Sequence, residues 1–138
     1  MDRNDWAHEF LNRLSSPHTD KNAYALISWM QAEGGNALWN PLNTTQPMPG
    51  AWDYNWVHVK NYPDFETGMD ATVKTILQTA DWLGYGPIRD RLRKSARPRR
   101  TLRAVEQSVW GTGGLALDVL PYVQRDYRQY SSHLIAGS

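Results

Sequence analysis

The chain of 138 residues contains no cysteine. That excludes a disulfide framework, a thiol nucleophile and a thiolate zinc site. Phenylalanine is scarce, at two residues. No apolar run approaches the roughly 18 residues that a membrane-spanning helix needs. The first residues, Met1-Asp2-Arg3-Asn4-Asp5-Trp6, have neither a basic leader nor an apolar stretch, so no signal peptide is expected. Neither sign of charge dominates. The formal net charge is +1, and whole-molecule charge therefore points to no polyanionic partner. A G-x-S-x-G elbow, a GxGxxG fingerprint and a P-loop are all missing; Gly111-Thr112-Gly113-Gly114 is too short and lacks the lysine. His8, His18, His58 and His133 are spread through the chain without ligand spacing, so neither a metal site nor a cofactor is expected.

What is present is ordinary for a globular protein, with 41% hydrophobic and 21% charged residues. The length suits one domain over residues 1–138. Seven tryptophans and seven tyrosines supply flat amphipathic rings, which fill cores and also suit sugar surfaces. Helical periodicity dominates. Trp6, Phe10, Leu11 and Leu14 share one face after Asp2 or Asn4. Thr19 is placed to cap a second helix that carries Ala23, Leu26, Ile27 and Met30 and ends at Gly34-Gly35. Residues 36–63 are rich in turn formers and predict loops with a small two- or three-stranded sheet, one strand falling on Asn55–Lys60. Phe65, Met69, Val73, Ile76, Leu77 and Ala80 predict a helix from Asp64 towards Asp81-Trp82. A short helix follows from Pro87, then a loop at 95–100, then a helix capped by Thr101. Leu120, Val123, Tyr127, Tyr130 and Leu134 trace one C-terminal helix, in which Pro121 fits only near the first turn.

Three groups of residues carry possible chemistry. Leu26, Met30 and Glu33 lie at i, i+4 and i+7, so the carboxylate falls on the apolar face of the last turn of its helix. Burial and the negative helix end both disfavour its charged form, as a general acid at neutral pH requires. The alternative is a glutamate that curls into solvent at a frayed end. Next, Asn40, Asn43, Thr44, Thr45 and Gln46, beside Trp39 and Trp52, make either a neutral sugar-binding set or an ordinary polar loop. Finally, residues 89–103 hold Arg89, Arg91, Arg93, Lys94, Arg97, Arg99, Arg100 and Arg103 against Asp90 alone. This block reads as a solvated face, as a contact for an anionic wall polymer, or as a nucleic-acid contact. The absence of an aromatic within it argues against the last, because bases would have nothing to stack on. Asp53, Asp64, Glu66 and Asp70 are candidate second carboxylates, with Asp64 and Glu66 better suited to the start of the following helix.

The run Trp29-Met30-Gln31-Ala32-Glu33-Gly34-Gly35, followed by Asn40-Pro41-Leu42-Asn43-Thr44-Thr45-Gln46-Pro47-Met48-Pro49-Gly50, resembles the lysozyme-like domains that actinobacterial phages carry in endolysins and in tail or tape-measure proteins. The resemblance continues through Val59–Pro63, Gly68–Thr75, Tyr85–Ile88 and Trp110–Gly113, covering about residues 6–113. Residues 115–138 form a C-terminal helical extension beyond it. The resemblance implies a mainly α, lysozyme-like fold with a small β element, distantly similar to goose-type lysozymes and lytic transglycosylases. It implies a bacteriolytic glycosidase acting on the N-acetylmuramic acid to N-acetylglucosamine linkage of peptidoglycan, as hydrolase or transglycosylase. Glu33 maps to the general acid and Gln46 to a substrate-contacting glutamine. Tyr62 and the Asn55 strand map to the cleft wall, and with Asn43, Thr44, Thr45 and Trp110 they complete the expected substrate-binding set. His58 stands where the resemblance leads one to expect glycine. A lone acid without an evident partner favours transglycosylase-like chemistry. The implied location is the host cell wall, reached from a virion or by release from the host cytoplasm. The alternative is a non-catalytic virion or tail domain that keeps the fold and binds wall glycan or a protein.

Overall fold

The computed structural model describes residues 1–138. Seven α-helices, α1 (Arg3–Arg13), α2 (Asp20–Glu33), α3 (Phe65–Ile76), α4 (Tyr85–Arg93), α5 (Pro98–Gln107), α6 (Leu115–Arg125) and α7 (Tyr127–Ser131), enclose one core. A two-stranded antiparallel sheet, β1 (Trp52–Asp53) and β2 (Lys60–Asn61), sits between α2 and α3 in the chain. The fold is mainly helical with a small sheet and a helical C-terminus, as the sequence pattern predicts.

The second helix is the axis. Asp2 caps α1 with a reciprocal Asp5 bond, and Thr19 caps α2 through the Asn22 N–H. The Thr19 cap falls where the sequence puts it, and of the two starts open for α1, Asp2 or Asn4, the cap is Asp2. The burial of α2 exceeds an amphipathic stripe, because Ala25, Leu26, Ile27, Ser28, Trp29 and Met30 are buried in succession. A helix covered on all sides needs neighbours on all sides. Here α1, α5, α6 and α7 pack around it. Trp6, Phe10 and Leu11 of α1, Leu102 and Val105 of α5, and Leu120 and Val123 of α6 complete the same cluster. Each such fully buried side chain contributes about 1.5–3 kcal/mol.

Several element boundaries differ from those read from sequence, each for a local reason. Of the strand expected at Asn55–Lys60 only Lys60 is in one, as the first residue of β2. The Asn55 side chain accepts from the Val59 N–H at 3.0 Å and its carbonyl accepts from the His58 N–H at 3.1 Å, so this stretch closes the turn between β1 and β2. His58 adopts φ +69°, the left-handed conformation for which glycine is suited. The third helix stops at Ile76, leaving Leu77 half exposed. Arg89 donates to the carbonyls of Ile76 at 2.6 Å and Gln78 at 3.0 Å, satisfying the freed acceptors. The fifth helix begins at Pro98, with Arg97 at the cap position; Thr101 is buried inside it and caps nothing. The C-terminal helix is two helices, broken at Asp126, and Leu134 is exposed. Pro121 lies well inside α6, on its exposed side, where its missing N–H costs no buried partner.

The chain closes on itself through its ends. Met1 and Arg3 exchange backbone hydrogen bonds with Ile135 and His133, and the Ala136 carbonyl accepts from the Trp39 N–H at 2.8 Å. Trp39 is gripped from a second side by α3, where a Cβ at Gly68 would lie 2.0 Å from the Trp39 carbonyl oxygen. No side chain fits there without moving backbone. We expect Gly68→Ala to lower stability by at least about 2 kcal/mol, seen as a lower urea midpoint at unchanged m. An unchanged midpoint would mean that residues 37–40 yield freely.

Candidate active site

Glu33 is the last residue of α2. Its helix stops because Gly34 turns to φ +83°, its N–H reaching back to the Met30 carbonyl at 3.1 Å. A Cβ at Gly34 would meet nothing within 4 Å, so the space beside Glu33 is open on that side. The helix thus carries Glu33 out of the core and leaves it half-buried at the edge of open space.

One neighbour fixes the carboxyl. The Asn43 side-chain amide donates to Glu33 Oε2 at 2.9 Å and to the Glu33 backbone carbonyl at 2.8 Å. Asn43 reaches this position with φ +57°, a conformation asparagine tolerates better than most residues. Asn40 holds the loop in that shape. It is fully buried, donates to the carbonyls of Thr44 and Lys60 at 2.8 Å, and accepts from the Thr44 N–H at 2.9 Å. Asn40 is therefore a loop clamp with no capacity left for a ligand.

Burial pushes the Glu33 carboxyl up to about 7. The Asn43 hydrogen bond opposes this by favouring the charged form. Trp29, one turn back on α2, pulls the same way, and its buried indole N–H closes no hydrogen bond. The negative charge of Glu106 raises the Glu33 carboxyl further. A half-buried carboxylic acid that titrates near neutrality can deliver a proton.

Glu106 is the residue that sequence reasoning missed. It accepts from the Thr112 N–H at 3.0 Å, the Thr112 hydroxyl and the Gly114 N–H at 2.5 Å. Burial alone would raise its carboxyl, but these donors outweigh it and hold Glu106 below the ordinary range. It is therefore charged at neutral pH. The signal was available in principle: a glycine-rich turn such as 111–114 exposes backbone N–H groups that need an acceptor nearby.

Asn43, Thr44, Thr45 and Trp110 share a cavity of about 180 Å³ with Thr75, Tyr85 and Val109. Thr75 and Tyr85 had not been expected at the site. Asn43 touches both the cavity and Glu33, linking the two. Trp110 is positioned by edge-on packing against Trp29 at 5.0 Å and by its indole N–H on the Leu42 carbonyl at 2.6 Å. The Thr44 hydroxyl is engaged with Thr75 at 2.6 Å. The Gln46 side-chain amide donates to the neighbouring Pro47 carbonyl at 3.2 Å, and Asn55 closes its own turn. Tyr62 does not line an accessible wall: it is fully buried and its hydroxyl donates to the Gln46 carbonyl at 2.6 Å, so it supports the loop from beneath.

No protein-family model, curated protein or solved structure matches the chain.

The other carboxylates considered from sequence are engaged elsewhere. Asp53 pairs with Lys60 and His58, Asp64 caps α3, and Glu66 and Asp70 both bind Arg13. The histidines are less dispersed than their spacing suggests, since the rings of His8 and His18 lie 4.3 Å apart; no group of three or more metal-ligating side chains includes them. A larger concavity of about 580 Å³ lies at the α6–α7 break, between Arg125 and Ser132, away from Glu33 in sequence and lined by none of the residues expected at the site.

The raised Glu33 carboxyl binds a proton more tightly in the folded than in the unfolded state. The stability it contributes is full below the ordinary carboxylate range and is lost as pH rises from there through about 7. This loss is on the order of 2–3 kcal/mol. Glu33→Gln should remove that slope from a stability–pH profile. Asn43→Ala should move the Glu33 titration up, and Glu106→Gln should move it down, both read by carboxyl NMR. Coincident titrations in all three proteins would mean that neither neighbour acts on Glu33.

Proposed function

We propose that the protein is a peptidoglycan-cleaving glycosidase with Glu33 as general acid. The observation that carries this reading is a half-buried carboxyl group pushed up to about 7 and fixed by Asn43 at the end of α2. The resemblance of residues 29–35 and 40–50 to lysozyme-like phage domains supports the substrate class and a site of action at the bacterial wall. The Glu33 proton would pass to the glycosidic oxygen as the C–O bond breaks and the anomeric carbon becomes oxocarbenium-like. The new Glu33 carboxylate keeps the Asn43 hydrogen bond as its stabilising donor. The sugar's own 6-hydroxyl then attacks the anomeric carbon and returns its proton to Glu33, giving a 1,6-anhydro end. Attack by water would give a reducing end instead. Asp53, Asp64, Glu66 and Asp70 are all held by other partners, which favours the internal route.

Purified peptidoglycan treated with wild type and with Glu33→Gln, followed by muropeptide mass spectrometry, tests the proposal. Wild type should release anhydro-muramyl ends, and the variant should be slower by at least about 100-fold. The wild-type rate should fall as pH rises through about 7, because the acid must be protonated. Equal cleavage by both proteins, or none by either, removes Glu33 as the catalytic acid.

A further inference from the structure

The arginine-rich segment divides into two kinds of residue once it is folded. Arg89 is committed to the end of α3, as described above. Arg91, Arg100 and Arg103 instead converge on one cavity of about 190 Å³, with Pro87, Ala104 and Gln107 completing its wall. Their spacing explains the convergence. Pro87 and Arg91 stand at i and i+4 on α4; Arg100, Arg103 and Gln107 stand at i, i+3 and i+7 on α5. The opposite faces of the two helices bury Ile88, Leu92, Leu102 and Val105 in the core. The hairpin can therefore present only these side chains to the groove between them.

The charge in this groove is compensated only at Arg91. Arg91 binds Asp90 at 2.9 Å, but Asp90 lies outside the cavity and is shared with Arg93 and Lys94. Arg100 and Arg103 form no ion pair and no side-chain hydrogen bond, and no acidic side chain lines the cavity. Three like charges facing one concavity repel each other until an anion enters. Guanidinium forks match tetrahedral oxyanions by paired N–H···O bonds, and the Gln107 amide adds a neutral donor. The volume is that of about six waters, enough for one phosphate ester group. No aromatic ring lines the cavity, so a nucleobase would find no stacking surface.

We propose that the groove between α4 and α5 binds the phosphate group of a phosphodiester-linked sugar or polyol polymer, held by Arg91, Arg100 and Arg103. That the polymer belongs to a bacterial wall rests on the function proposed above; the phosphate chemistry does not. Bound there, the polymer would anchor the domain independently of the glycan strand that Glu33 cleaves.

Isothermal titration with poly(glycerol phosphate) free of peptidoglycan tests this separately from any cleavage assay. Wild type should bind, and Arg100→Gln/Arg103→Gln should bind at least tenfold more weakly with an unchanged melting temperature. In NMR, the shifts caused by polymer should centre on residues 87–107. The salt dependence of binding should be shallower in the double variant. Absence of binding, or equal binding by both proteins, overturns the proposal. Tighter binding of single-stranded DNA than of the polymer, lost in the same variant, also overturns it and assigns the groove to nucleic acid.

Discussion

The structure depends on one helix whose central residues are buried on every side and whose end is then released. Residues 25–30 of α2 have no solvent face, so α1, α5, α6 and α7 are all needed to cover them. Three residues later the helix must end, because Gly34 adopts a backbone conformation that cannot continue it. Glu33 inherits both environments. It belongs to the core by position and to the surface by access. A carboxyl one turn earlier, at the position of Trp29 or Met30, would be buried with no route to a substrate.

The candidate site is assembled from segments far apart in sequence, which makes it a product of packing. The 40–44 loop brings Asn43 to the carboxyl only because Asn40 is locked in the interior. Trp110 contacts Trp29 from one side and Tyr85 from another, so α2, α4 and the turn after α5 meet at one ring. Glu106 organises the 111–114 turn by its hydrogen bonds while its charge reaches Glu33. The same anion therefore orders that turn and raises the acid at Glu33.

Helix existence, the caps at Asp2 and Thr19 and the stop at Gly34 were legible in sequence because each rests on bonds between near neighbours. The position of Glu33 was legible for the same reason. Boundaries failed where a distant group intervened, as when Arg89 completes the end of α3. They also failed where side chains compete with regular structure, as at Asn55. Asn40 looked like a ligand contact because a polar group in a loop reads the same whether its hydrogen bonds are free or taken, and Tyr62 was placed on the cleft wall by resemblance alone. Only the packed structure tells those cases apart. Glu106 escaped notice because its meaning lies in the turn that folds over it.

The arginine-rich hairpin also gives the molecule a direction. Residues 89–103 hold eight cations and one acid, a net +7, in a chain of net +1, which leaves −6 on all other residues. Such a particle is nearly neutral at a distance and strongly dipolar nearby. Within roughly one Debye length of an anionic layer, about 8 Å at physiological salt, it experiences a torque that turns the hairpin inward before contact is made. The orientation in which the molecule arrives is thereby selected by the field, and the search for a productive pose is reduced from all rotations to those about a single axis.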